Sequence, residues 1–350
     1  MIDVLLSSHE AVSFLRVVMR IDPRDISVVV QGPVIGPSHA TPEARLTQRC
    51  LESVHRHLPG AQIVFSTYRD VDVRDLRYDV LVENDDPGAL LQNDELRVPN
   101  NVNRQIVTTR NGLRVSDRRF TMKLRSDLLL HGADWLEHFG AYPRRCGQWR
   151  VFDERLLNCT VYARNPRSIY CYPFHPSDWL FFGLRDDMLR LWDIPLAPEP
   201  ETSRWFEHRP RPVPDVAISN LCRYVAEQYI WVSCLRKYGP LRFDHCHDLS
   251  NDAAELTELT FANNLVLLEP RQLQIRFLKY RVARRDWCTL YSHADWRSMY
   301  HAYCDRSGWR LADVQRRAKR WIWLCCRPPL TLARAGWRRL KRSNKRRLAA

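Results

Sequence analysis

The chain has 350 residues, 45% of them hydrophobic, which is ordinary for a folded globular protein and enough for one large α/β domain with an appendage. Its formal charge of +14 is unevenly placed: residues 310–350 hold 14 Lys and Arg and one acid, Asp313, whereas the first 309 residues hold 40 basic and 39 acidic groups. A nearly neutral body argues against a nucleic-acid enzyme with a basic cleft, and for a basic tail on a neutral catalytic body.

In chain order, residues 1–20 place Asp3, His9 and Glu10 where the apolar core of an export leader would lie, so no signal peptide is expected. Residues 26–30 are a β-branched run ending at Gln31-Gly32-Pro33, which reads as a buried strand meeting a turn. Thr41-Pro42-Glu43 opens a helix in which Leu46, Cys50, Val54 and Leu58 recur every four residues, and Pro59-Gly60 stops it. Residues 63–67 and 79–82 read as the next strands, the latter running into the acidic turn 83–88. Helical spacing over 100–115 precedes a fourth strand, 120–124, which leads into Arg125-Ser126-Asp127. Alternating strands and helices imply a largely parallel sheet, whose ligands bind at the carboxyl ends of the strands. The turns at 31–33, 84–86 and 125–127 are expected to share that edge.

Residues 178–184 read as a loop end followed by an apolar segment. Residues 195–214 are proline-rich and irregular, 218–235 look helical, and 271–308 are mixed and rich in Arg and aromatics. In the tail, Leu311, Val314, Ala318, Trp321, Ile322 and Cys325 form one helical stripe, with basic residues mostly off it. The chain is thus expected to divide into a body, 1–270, and a helical basic region, 271–350. No run of about 18 apolar residues suggests a spanning helix. The 11 cysteines are scattered and lack a CxxC pair, which favours reduced thiols over a zinc ribbon.

The segments SVVVQGPV (27–34), CLESVHRHLPGAQIVFSTY (50–68), NNVNRQI (100–106), KLRSDL (123–128), PSDWLFFG (176–183) and AEQYIW (226–231) together resemble the WavE lipopolysaccharide-synthesis family. The resemblance implies a GT-A-like, Rossmann-related α/β fold with a mostly parallel sheet flanked by helices. It further implies a nucleotide-sugar-dependent glycosyltransferase in lipopolysaccharide or surface-glycan assembly. A non-catalytic nucleotide-binding or glycan-assembly protein is the alternative.

Sugar transfer must stabilise a departing diphosphate, and Mg²⁺ or Mn²⁺ held by carboxylates is one way to do so. Asp127 stands where GT-A enzymes place the last acid of their Asp-x-Asp motif, but Arg125 occupies the place of the first. Arg125 suits phosphate oxygens directly, or forms a loop salt bridge with Asp127. Asn84, Asp85 and Asp86 are candidates for the nucleoside, against an Asx turn before Pro87-Gly88. Gln31 and Gly32 would let the backbone approach the nucleotide, and Arg104 would reach phosphate or solvent. Asp178, beside Trp179, is the candidate for acceptor contact, with a helix N-cap as the other reading. Glu227 is the candidate general base, or else a solvated helix residue. The His245-Cys246-His247-Asp248 cluster offers His247 as a further metal or diphosphate contact. The expected partners are a nucleotide sugar, a glycan or lipid-linked acceptor, and an anionic membrane surface bound through residues 310–350. No specific nucleic acid is expected. The expected location is cytoplasmic, peripheral at the inner face of the membrane.

Overall fold

The computed structural model of the chain describes residues 21–36, 45–91, 99–168, 171–210, 222–277 and 289–308, and the single positions 311, 313, 314, 318 and 322. In chain order the elements are β1 (Ile26–Gln31), α1 (Leu46–His57), β2 (Gln62–Tyr68), β3 (Val80–Asn84), β4 (Leu90–Leu91), β5 (Pro99–Asn100), α2 (Val102–Val115), β6 (Phe120–Arg125) and β7 (Leu128–Leu130). They continue with β8 (Leu156–Cys159), β9 (Leu180–Leu184), α3 (Arg185–Trp192), α4 (Ala226–Leu235), α5 (Ala253–Asn264), β10 (Leu265–Leu268), β11 (Ile275–Phe277) and α6 (His293–Tyr303).

Seven strands form one sheet in the order β10-β8-β9-β6-β1-β2-β3. Every pairing is parallel except those of β9, which runs against both β6 and β8. This is the mostly parallel, helix-flanked α/β sheet expected from the sequence. β1 and β8 are buried along their whole length, and their near-continuous apolar runs follow from having both sheet faces covered.

Strand direction decides what reaches the functional edge. Gln31 at the end of β1 lies beside Arg125 on β6 and Ser66 on β2, and Tyr68 lies beside Asn84. These carboxyl ends share one edge. Because β9 is reversed, it enters the sheet at that same edge, with Leu180 beside Leu124. Asp178, two residues ahead of β9, is therefore delivered to the end of β6.

α1 crosses from β1 to β2, and α2 returns from β3 to β6 in the opposite direction along the sheet. Right-handed connections put the two helices on opposite faces. The stripe Leu46, Cys50 and Val54 of α1 is buried, as its spacing predicts. α2 presses its backbone onto the sheet at Gly112, where a Cβ would lie 2.4 Å from Val29 Cγ1 and 3.2 Å from Ser66 Cβ. Gly112→Ala is expected to destabilise the fold by about 1–3 kcal/mol through overpacking. A urea denaturation curve reads this, and an unchanged midpoint would mean that α2 has room to retreat.

The boundaries of β3 and α4 differ from the sequence reading. β3 runs to Asn84, and Asp79 lies ahead of it, its carboxylate accepting the Ile63 N–H at 2.6 Å. α4 starts at Ala226 rather than 218. Residues 222–225 are tied into loops instead: the Arg223 N–H donates to the Thr202 carbonyl at 2.8 Å, and the Tyr224 hydroxyl donates to the Phe243 carbonyl at 2.6 Å. The rest of that expected helix, 218–221, and the end of the proline-rich stretch, 211–214, lie outside the described residues. Beyond residue 270, β11 pairs antiparallel with β7, and α6 packs on α5 and β10 with Trp296 fully buried. Among the described residues no two cysteines form a disulfide. The expected tail stripe and basic run lie largely outside the described residues. Of the described positions, Leu311, Val314 and Ile322 are exposed, whereas Asp313 is buried and paired with His301 Nδ1 at 3.0 Å.

Candidate active site

The site starts from two turns that interlock. Gly32 has φ +124°, a left-handed value that favours glycine, and a Cβ there would meet Ser126 Oγ at 3.0 Å. Across the same gap the Ser126 N–H donates to the Gln31 carbonyl at 3.0 Å, and Ser126 Oγ donates to the Pro33 carbonyl at 2.8 Å. The 31–33 turn is thereby clamped to the 125–127 turn. Thr108 of α2 donates to Gln31 Oε1 at 2.9 Å and fixes that side chain.

A cleft of about 510 Å³ opens over these turns, lined among others by Gln31, Gly32, Pro33, Tyr68, Asp86, Arg104, Arg125, Ser126, Asp127 and Asp178. Asp86 and Arg104 form its outer wall. The guanidinium donates through Nε at 2.7 Å and NH2 at 2.5 Å to the two carboxylate oxygens, and through NH1 to Asn101 at 3.1 Å. The Asx turn expected after β3 also forms, with the Gly88 N–H donating to Asp86 at 2.9 Å.

Arg125 is the centre of the site. It donates through Nε and NH2 to both oxygens of Asp127, at 3.0 and 3.1 Å, and through NH1 to Asp178 at 3.2 Å. The Phe277 ring lies 5.3 Å from its guanidinium carbon. The ion pair weighed as an alternative for Arg125 and Asp127 thus exists, and it forms the floor of the cleft. Behind it Lys123 is fully buried and donates from Nζ to the Asp178 carbonyl. Burial lowers its ammonium to about 8, with Asp178 opposing the fall.

A second cleft, of about 360 Å³, lies on the other side of Arg125 and Asp178, bounded by Asn100, Asn101, Tyr162, Trp179 and Glu227. Glu227 stands in the first turn of α4, and burial, then the negative charge of Asp178, pushes its carboxyl up to about 7. His175 Nε2 lies 3.6 Å from Glu227 Oε2. Burial, then Arg164, lowers His175 to about 4, so its ring is neutral at pH 7. The Pro176 carbonyl 3.1 Å from Nδ1 can only accept, which puts the ring proton on Nδ1 and a lone pair towards Glu227. Burial disfavours the ionised form of Asp178, but the positive charges of Arg125, then Lys123, outweigh it and hold its carboxyl below the usual range. Two carboxyls that flank one arginine are thus driven apart in acidity, a pattern typical of acid–base sites.

The structure therefore brings Gln31, Gly32, Asp86, Arg104, Arg125, Asp127, Asp178 and Glu227 to two adjoining clefts. Asp178 leads into a strand, so the helix N-cap reading does not apply to it. Asn84 is buried within the sheet edge, its amide donating to Ser66, Thr67 and Val82 and accepting from Asn111. Asp85 is exposed and pairs with Arg69 at 2.8 Å. His247 lines neither cleft: its Nδ1 lies 3.0 Å from the Cys171 carbonyl, and its ring lies against Tyr172.

Several site residues escaped the sequence reading. Lys123 carried a signal, a lone cation inside the apolar run of β6. Asn158 carried none that is local. It is fully buried, donates to the Ser177 and Leu180 carbonyls at 3.0 and 2.7 Å, accepts the Ser177 N–H, and so fixes the approach to Asp178. Tyr162 holds a left-handed φ of +65° while lining the second cleft, and such strain in a bulky residue collects at functional sites.

A divalent cation needs carboxylate oxygens directed at it. Here one guanidinium bonds both oxygens of Asp127, and among the described residues no group of three His, Cys, Asp or Glu gathers to hold a metal. Asp127 and His247 do not fit as a shared metal site in this arrangement.

Among solved structures, the chain is similar to the mannosyltransferase PcManGT from Pyrobaculum calidifontis, solved in complex with GDP-Man and Mn2+. The identity is 15% and the TM-score 0.30, over 50% of this chain and 49% of that one. So distant a likeness, spanning about half the length of the mannosyltransferase, carries no argument here. No protein of curated function matches the sequence. Residues 26–324, which include every site residue named above, match the WavE lipopolysaccharide synthesis family, and the chain belongs to that family.

Proposed function

We propose that this chain is a glycosyltransferase that moves a sugar from a nucleotide-sugar donor to a lipopolysaccharide or related surface-glycan acceptor at the cytoplasmic membrane face. One observation carries the reading: two clefts meet at Arg125 and Asp178, with a carboxyl near neutrality, Glu227, in the second. The first cleft takes the donor, with its nucleotide against the Gln31-Gly32 turn and its diphosphate towards Arg125 and Arg104. The second takes the acceptor, whose hydroxyl gives its proton to Glu227 while Asp178 orients the reacting sugar. Membership of a lipopolysaccharide-synthesis family supports the same class of chemistry. A screen of nucleotide sugars, with mass-spectrometric detection of released nucleotide, tests it. Release with at least one donor, lost in Asp178→Asn with the fold intact, is expected. No binding and no release with any donor would leave a non-catalytic assembly protein.

The basic tail is assigned to an anionic membrane surface. No helix among the described residues is long and apolar enough to cross a membrane. Leu311, Val314 and Ile322 present apolar side chains to solvent at 75%, 45% and 63% exposure, a surface suited to the lipid interface. Each engaged Lys or Arg adds about 1 kcal/mol near anionic lipid. Deleting residues 310–350 is expected to abolish sedimentation with phosphatidylglycerol vesicles and to spare donor binding. Equal pelleting of the truncated chain would refute the assignment.

A further inference from the structure

Resting on the nucleotide-sugar reading above, we infer that Arg125 neutralises the departing diphosphate in place of a divalent cation, and that donor binding by this chain needs no metal.

The inference comes from the charge at the end of β6. Arg125 lies beside Gln31 in the β1–β6 ladder, at the mouth of the first cleft, two residues before Asp127. A metal-assisted site would present two acids over these three residues; here the first is a cation. Its guanidinium bonds both Asp127 oxygens and one Asp178 oxygen, and both carboxylates are almost wholly buried. The other carboxylate of the cleft, Asp86, is bonded by Arg104 through both of its oxygens. Lys123, buried behind the site, supplies a third positive group, which acts on Asp178 and Asp127. The acids of the first cleft are thus balanced by resident cations.

Arg125 is also suited to the task. A guanidinium stays charged throughout the working pH range, and its planar fork matches phosphate oxygens. Its side chain is 25% exposed, whereas those of Asp127 and Asp178 are 3% and 6% exposed, so the cation rather than the carboxylates is presented to the cleft. In the transfer, the bond between the anomeric carbon and the diphosphate oxygen breaks, and its electron pair leaves with the nucleoside diphosphate. The acceptor oxygen forms the new bond and loses its proton to Glu227. The charge that grows on the diphosphate does so beside Arg125, the member of this ion-pair cluster presented to the cleft.

Calorimetric titration of the full-length chain with UDP, GDP and CDP, in EDTA and again in excess Mn²⁺, tests this. Whichever diphosphate binds is expected to bind with affinities within about 3-fold of each other in the two conditions, since no metal contact is gained or lost. Arg125→Lys, checked for an unchanged melting transition, is expected to weaken binding in EDTA by about 10-fold or more, because the fork is lost. Binding that requires Mn²⁺, or an Arg125→Lys chain with wild-type affinity, overturns the inference and leaves the transferase reading standing. Failure of every diphosphate to bind in either condition would instead remove the donor cleft, and the inference with it.

Discussion

Glu227→Gln is expected to lower turnover by about 10²- to 10⁴-fold, the range for losing a general base, with donor affinity little changed. The substitution keeps shape and hydrogen-bonding capacity and removes only the site that accepts a proton. In the wild type the base is competent once Glu227 ionises, so the rate should rise with pH through about 7. In Glu227→Gln that limb should vanish from the residual rate. Stability should respond in the opposite sense. The folded chain holds the Glu227 proton up to about 7, against an ordinary value of 4.5, so it binds more protons than the unfolded chain in between. The stability this contributes is fully present below about 4.5 and is lost as pH rises through about 7. Glu227→Gln abolishes that loss and should be more stable than wild type above pH 7 by roughly 1–3 kcal/mol, read by chemical denaturation. A variant that is less stable and still follows the wild-type rate limb would show that Glu227 is only structural.

Asp178→Asn is expected to cost about 10²- to 10³-fold in turnover, the scale for removing one oriented electrostatic contact. It should also shift the pH limb of the residual activity. The Asp178 carboxylate is the second cause, after burial, of the raised pKa of Glu227. Removing its charge lets Glu227 ionise at lower pH, so the limb should move downward. A change that merely loosened the loop would slow the reaction without moving the limb. If turnover falls and the limb stays in place, Asp178 and Glu227 do not sense one another, and the two clefts do not work together.

Much of the first cleft was legible in the sequence because its parts are local. A β-branched strand that ends in Gly-Pro, and another that ends in Arg-Ser-Asp, announce two turns at one sheet edge, and Gln31 and Arg125 do sit side by side. The second cleft was harder because it depends on strand direction. Nothing in residues 178–184 reveals that β9 is reversed, yet the reversal is what carries Asp178 to Arg125. Asn158 and His175 act only through segments brought near by the fold, and neither carries a spacing signal. His245 and His247 do carry one, two residues apart as on one face of an extended segment. The chain turns there instead: the Asp248 N–H donates to the His245 carbonyl at 2.9 Å, and His247 Nδ1 faces the Cys171 carbonyl.

The account depends on where a donor's diphosphate lies. A crystal structure of the full-length chain with the nucleoside diphosphate selected by titration measures this most directly. The diphosphate should lie between the Gly32 turn and the Arg125 guanidinium, with its terminal phosphate towards Asp178 and the second cleft open beyond it. A nucleotide bound elsewhere, or one bound here with its phosphates turned away from Arg125 and Asp178, would contradict the account.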